Sequence, residues 1–200
     1  MHLAGIFERN ADWVRRKTGQ DPEYFKRLAG LQAPELLWIG CADCRIPANV
    51  IAGLEPGEIL VHRNIANLVC PSDLNCMAVL QYAVEVLQVK EIAVCGHYGC
   101  NGVHTAAFGA GDGLADYWLE PVKQLAQRHR DRLAALPDDE ARVDFLCEAN
   151  VRAQVANVAR SPVLRRAYDR GQEIGVHGWI YGLKDGLLRD LKCDCTRPAD

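Results

Sequence analysis

EIAVCGHYGC, Glu91 to Cys100, is the stretch on which the reading of the fold turns. Glu91 to Gly96 is an apolar run of strand length that stops abruptly at glycine, and His97 and Cys100 follow at once. A short run of this kind, without polar alternation, fits a strand buried on both faces. The same construction occurs upstream in ELLWIG, Glu35 to Gly40, followed by CADCR, Cys41 to Arg45. EILVHR, Glu58 to Arg63, comes after the turn signal Pro56-Gly57 and reads as a strand between these two. EIGVHGWIY, Glu173 to Tyr181, reads as a fourth, and Leu187 to Leu191 as a candidate edge strand.

Helical sequence separates these runs. Ser72 or Asp73 can cap a helix from Leu74 to Leu87, whose apolar side is Met77, Leu80, Val84 and Leu87. A Gly-rich stretch at Gly109, Gly111 and Gly113 divides a short helix from further helical sequence. A long helix starts near Pro137-Asp138-Asp139, with Val143, Cys147, Val151, Val155 and Val158 as its inward stripe. It ends before Ser161-Pro162, itself the start of another helix. The N-terminal region is also helical, with a helix start at Asp21-Pro22-Glu23. Strands alternating with helices predict an α/β fold: a mainly parallel four-stranded sheet flanked by helices, with an antiparallel edge strand. The economical reading is a single domain over residues 1–200, of which 1–34 form an N-terminal helical arm.

Length and charge narrow the partners. Two hundred residues suit one well-packed domain. A net charge of -3 gives no electrostatic reason to expect nucleic acid or an anionic membrane. No apolar run approaches the roughly 20 residues of a membrane helix. MHLAGIFERNADWVRR, the first sixteen residues, lacks the apolar core of a signal peptide, so a cytoplasmic location is expected. The nine cysteines are an odd number, and a reducing compartment implies no disulfide scaffold. Cys70, Cys76, Cys95 and Cys147 sit in apolar stretches and read as buried filler. Cys193 and Cys195 form a C-x-C with no further ligand cluster beside it.

Cys41, Cys44 and Cys100 need another account. In a parallel sheet, segments that follow strands emerge at one carboxyl edge. If the first and third strands are neighbours, with the second beyond the first, a switch point opens between them, where open α/β sheets bind ligands. Cys41, His97 and Cys100 then converge from distant segments. Thiolate and imidazole are the preferred donors of zinc, and three protein ligands leave a fourth position for chemistry. Asp43 is a fourth nearby donor, weaker and able to leave. A lone H-x-x-C ordinarily carries no metal; two such motifs at two strand ends favour a site. Arg45 presents a rigid fork that can hold the Asp43 carboxylate by two hydrogen bonds and keep it off the metal. So held, Asp43 can orient a zinc-bound water, whose pKa zinc lowers to about 7.

These residues resemble the bacterial β-class carbonic anhydrases, whose pattern is C-x-D-S-R followed by H-x-x-C. The resemblance runs from about Leu36 to Asp190. It takes in LWIGC (Leu37–Cys41), GLEPGE (Gly53–Glu58), VHRN (Val61–Asn64), DLNC (Asp73–Cys76), CGHYGC (Cys95–Cys100) and HGW (His177–Trp179). It implies a zinc-dependent lyase that hydrates carbon dioxide to bicarbonate, with the metal on Cys41, His97 and Cys100 and with Asp43 and Arg45 as the catalytic dyad. The nucleophile is then hydroxide on zinc. Ile46, Tyr82 and Gly102 are candidate lining residues for carbon dioxide. It also implies a homodimer or homotetramer over which the N-terminal helices reach. In one subgroup, bicarbonate occupies a separate pocket at low pH and the aspartate leaves its arginine for the metal. Trp38, Arg63 and Tyr181 match that pocket.

Two departures stand out. Cys44 occupies the family's serine position, and a thiol is the weaker hydrogen-bond donor. The chain also stops soon after Asp190, where many relatives carry a helical tail. Three other readings compete: a hydrolase of a related small heteroallene (CS2 or COS), a non-catalytic zinc or redox-sensing module using Cys41, Cys44 and Cys100, and a thioredoxin-like oxidoreductase built on the C-x-x-C of Cys41 and Cys44.

Overall fold

A computed structural model describes residues 3–30, 33–109 and 112–195. Gly111 of the Gly-rich stretch lies outside them. The chain forms two compact units, residues 1–33 and 34–200. In the first, a short 3-10 turn at Leu3–Gly5 leads into α1 (Ile6–Gln20), and α2 (Tyr24–Gly30) follows. Trp13 packs edge-on against Phe25 and Tyr24, at 5.4 and 6.5 Å between ring centroids, which joins the two helices.

The second unit runs β1 (Leu36–Cys41), α3 (Ala48–Ala52), β2 (Ile59–Asn64), α4 (Leu74–Gln81), β3 (Glu91–His97), α5 (Asn101–Phe108), α6 (Gly113–Trp118), α7 (Glu120–Arg128), α8 (Arg130–Ala134), α9 (Asp139–Arg160), α10 (Pro162–Asp169), β4 (Gly175–Tyr181) and β5 (Leu188–Asp190). The strands form one sheet in the order β2-β1-β3-β4-β5. The first four are parallel, and β5 pairs antiparallel with β4. β1 and β3 lie inside the sheet with both faces covered, so nearly every residue of each is buried. That is why both read as unbroken apolar runs. β4, with one face half-covered, buries only Val176, Gly178 and Ile180.

The larger core lies on the face carrying Leu37, Ile39 and Cys41, where α9 packs across β3 and β4. All five residues of the α9 stripe are buried, as predicted. Asp138 caps α9 through the amide of Ala141, and Ser161 caps α10 through that of Leu164. The smaller core, on the opposite face, gathers Trp38, Ile59 and Cys95 with Trp179 and Tyr181. Cys193 and Cys195 pack against the edge of the larger core, and Cys195 bridges Val176.

Gly96 shows how closely α9 approaches. A Cβ at Gly96 would lie 2.6 Å from Val151 Cγ2, well inside contact distance. Gly96→Ala is expected to destabilise the fold by about 1–3 kcal/mol through overpacking, read by denaturant unfolding.

The structure corrects the helix expected over Leu74 to Leu87. Asp73 caps α4, but the α-helix ends at Gln81 and the chain continues in a wider i→i+5 turn over Tyr82–Val86. The inserted residue rotates the later side chains. Cys76, Leu80, Ala83 and Val84 are buried, whereas Met77 and Leu87 pack only part-buried at the core margin.

Candidate metal centre

Cys41 and His97 are the last residues of β1 and β3, one position inside the strands rather than after them. β1 and β3 are neighbours and β2 flanks β1 on the other side, so the switch point inferred from sequence is present. Beyond His97 the chain must turn sharply to bring Cys100 back. Gly99 does this in the left-handed region at φ 64°, where glycine carries no Cβ penalty.

The turn delivers three donors to one point. Ligand atoms of Cys41, His97 and Cys100 all lie within 4.8 Å of one another, and the two sulfurs are 3.9 Å apart. All three residues are buried. His97 Nδ1 donates to the carbonyl of Tyr98 at 3.0 Å, which leaves the lone pair on Nε2. Nε2 is buried with no hydrogen-bond partner. The two sulfurs interact directly. The Cys100 hydrogen bond makes Cys41 ionise far more readily than a free thiol. That same bond, together with burial, holds the proton on Cys100. A buried thiolate beside a second buried sulfur calls for a cation, and an orphaned imidazole lone pair points to the same need. The donor set therefore fits zinc.

Asp43 sits at the rim, with Oδ2 3.8 Å from His97 Nε2. Arg45 grips it as the sequence implied: Nε to Oδ1 at 2.9 Å and Nη2 to Oδ2 at 2.6 Å. The backbone amide of Arg45 adds a third bond to Oδ1, at 2.9 Å. These bonds, the guanidinium first, hold the Asp43 carboxyl well below the usual carboxylate range. Arg63, from β2, braces the loop by donating Nε to the Cys41 carbonyl at 2.8 Å and Nη2 to the Asp43 carbonyl. Cys44 is exposed and outside the donor cluster.

A cleft of about 610 Å³ opens beside Arg45, lined also by Tyr98, Asn101, His104, Lys184 and Arg189. Of the expected lining residues, Ile46 is buried after the dyad loop, Tyr82 is exposed on the wide turn, and Gly102 lies against Ile65 and Leu119. Sequence reasoning missed the clamp on the His97–Cys100 turn. Tyr98 Oη donates to Glu148 at 2.7 Å, and the Gly99 amide donates to Asp144 at 3.3 Å. Asp144 and Glu148 lie one turn apart on α9, and this i, i+4 acidic pair beside the apolar stripe was the available signal.

A family model described as carbonic anhydrase matches residues 36–188. The chain belongs to the carbonic anhydrase family. It is 47% identical over 189 residues to a carbonic anhydrase of Emericella nidulans, a match covering 94% of this chain and 83% of the relative. The solved β-carbonic anhydrase of Coccomyxa is 37% identical and superposes with a TM-score of 0.92, covering 98% of this chain and 89% of that one. One of two tetrameric β-carbonic anhydrases of the ascomycete Sordaria macrospora is 41% identical with a TM-score of 0.87, covering 94% and 96%. These matches place the carbonic anhydrase in the β class, whose members are zinc enzymes. The resemblance read from sequence was to bacterial members. The matches at these identities include fungal proteins, so they establish the class and leave the bacterial subgroup unconfirmed.

Proposed function

We propose that this carbonic anhydrase hydrates carbon dioxide reversibly to bicarbonate and a proton, with zinc held by Cys41, His97 and Cys100. The observation that carries the reading is the convergence of two thiols and an unpartnered imidazole nitrogen beside a carboxylate gripped by arginine. Zinc bound there supplies Lewis acidity that makes water acidic near neutral pH. Cys41, His97 and Cys100 give two negative charges and one neutral donor, so the metal keeps one position for the reaction. Asp43 stays ionised and offers lone pairs to the hydrogen of a reacting water. Arg45 fixes the direction of those lone pairs and holds the carboxylate away from the ligands. Asp43 and Arg45 also argue against a thiol sensor or a thioredoxin-like enzyme, neither of which needs such a dyad. The test is zinc content together with stopped-flow carbon dioxide hydration. Stoichiometric zinc without hydration, or CS2 or COS turned over faster, would overturn the assignment.

The assembly follows by the same reading: a homodimer or homotetramer, as in the tetrameric Sordaria proteins, with residues 1–34 as an arm reaching over a neighbouring copy. Among the described residues, no helix is long and apolar enough to cross a membrane.

We further propose that bicarbonate regulates the enzyme at Trp38, Arg63 and Tyr181. Two observations support this. Trp38 and Tyr181 share the smaller core, and Arg63 shares their sheet face through its register with Gly40. The Arg63 guanidinium also holds the Cys41 and Asp43 carbonyls. An anion that drew Arg63 away would loosen the loop carrying Asp43 and free it to reach the metal. Steady-state rates at rising bicarbonate should show inhibition steeper than simple product competition in the native enzyme. Tyr181→Phe should flatten that curve, and an unchanged curve would remove the pocket.

A further inference from the structure

Cys76, read from sequence as apolar filler, does not stand alone. Ligand atoms of His62, Asp73 and Cys76 all lie within 4.8 Å of one another. This cluster shares no residue with Cys41, His97 and Cys100. His62 is on β2, in register with Ile39, and Asp73 and Cys76 open α4. Cys76 is 1% exposed and His62 5%, while Asp73 is half-buried and leaves a way in from solvent.

We propose that His62, Asp73 and Cys76 form a second zinc-binding site, separate from the reaction centre, that ties β2 to the start of α4. The donor chemistry fits, because imidazole and thiolate are the preferred zinc donors and a carboxylate is accepted as the third. Charge fits too. One divalent cation, one thiolate and one carboxylate sum to zero, so a buried complex carries no net charge into the low-dielectric interior. The geometry is partly prepared. Asp73 Oδ1 is fixed by the amides of Asn75 and Cys76 at 3.0 and 3.3 Å, which leaves Oδ2 for a cation. His62 Nε2 lies 3.2 Å from Asn64 Nδ2, which orients the ring towards the start of α4. Binding zinc displaces the Cys76 proton, so one proton leaves to solvent for each ion bound. The donors need to close by roughly an ångström to reach bonding distances near 2.0–2.3 Å.

Metal counting decides the matter. Metal-free protein is dialysed against Zn²⁺ and the zinc per chain is measured. The native chain should hold two equivalents. Cys76→Ala and Asp73→Asn should each hold one, and Cys41→Ala should also hold one. Cys41→Ala combined with Cys76→Ala should hold none. Asp73→Asn keeps a capping side chain on α4, so it remains informative if Cys76→Ala does not fold. One equivalent in the native chain would overturn the site, as would two equivalents that both Cys76→Ala and Asp73→Asn leave in place.

Discussion

Cys100→Ala is expected to lose one zinc equivalent per chain and, with it, carbon dioxide hydration down to the uncatalysed background. The fold should survive. Cys100 is small and 2% exposed, and it precedes α5 without making a side-chain cap, so alanine removes one sulfur and leaves the backbone of α5 intact. The expected stability loss is about 1 kcal/mol, within the usual range for one buried substitution. The metal loss should be far larger. With one thiolate gone, Cys41 and His97 are two donors where a catalytic zinc needs three. Cys41 also loses the hydrogen bond that favours its ionised form. Zinc analysis after dialysis, circular dichroism and stopped-flow hydration on the same sample separate these effects. A variant that keeps its full zinc content and native turnover would show that Cys100 is no ligand. A chain that hydrates carbon dioxide after complete zinc removal would undo the proposed chemistry as a whole.

Not every part of this centre was equally open to reading from sequence. β1 and β3 were legible because two-sided burial writes itself as an unbroken apolar run, and Cys41 and Cys100 were legible because their motifs follow such runs. The Asp43–Arg45 grip was legible because two residues in a tight turn have few alternatives. The α9 stripe was legible through its 3.6-residue period. What failed were long-range side-chain contacts that no motif at a strand end marks. Tyr98 and Glu148 are 50 residues apart, and nothing local to either says that they meet. His62 and Cys76 likewise look like an ordinary strand residue and an ordinary helix residue until β2 and α4 are packed. The wide turn after Gln81 failed for a different reason. Apolar spacing in the segment suits an α-helix, and only the packing of Ala83 and Val84 against the core selects the extra residue per turn.

Asp43→Asn separates the metal from the carboxylate that serves it. Zinc content is expected to stay at the native value, because the three ligands are untouched, while kcat falls by about 10²-fold or more, the scale of a positioned acid–base group. The argument lies in the hydrogens. Asp43 accepts three bonds from Arg45, through its backbone amide, Nε and Nη2. A carboxylate meets all three donors with lone pairs and keeps others for a water at the rim. An asparagine keeps one oxygen and presents N–H groups from the other position. With its nitrogen in place of Oδ2, the N–H groups meet Arg45 Nη2 and the water, so a donor replaces the acceptor 3.8 Å from His97 Nε2. With its nitrogen in place of Oδ1, they meet the Arg45 amide and Nε, two donors that then lack an acceptor, and the guanidinium fork opens. Either arrangement costs the site the fixed, charged acceptor that the carboxylate supplies. The substitution is nearly isosteric, so a rate loss with intact zinc and unchanged unfolding marks a chemical role for the carboxylate. Native turnover in Asp43→Asn would reduce the Asp43–Arg45 pair to an ordinary ion pair, and the case for hydration at this centre would then rest on the three ligands alone.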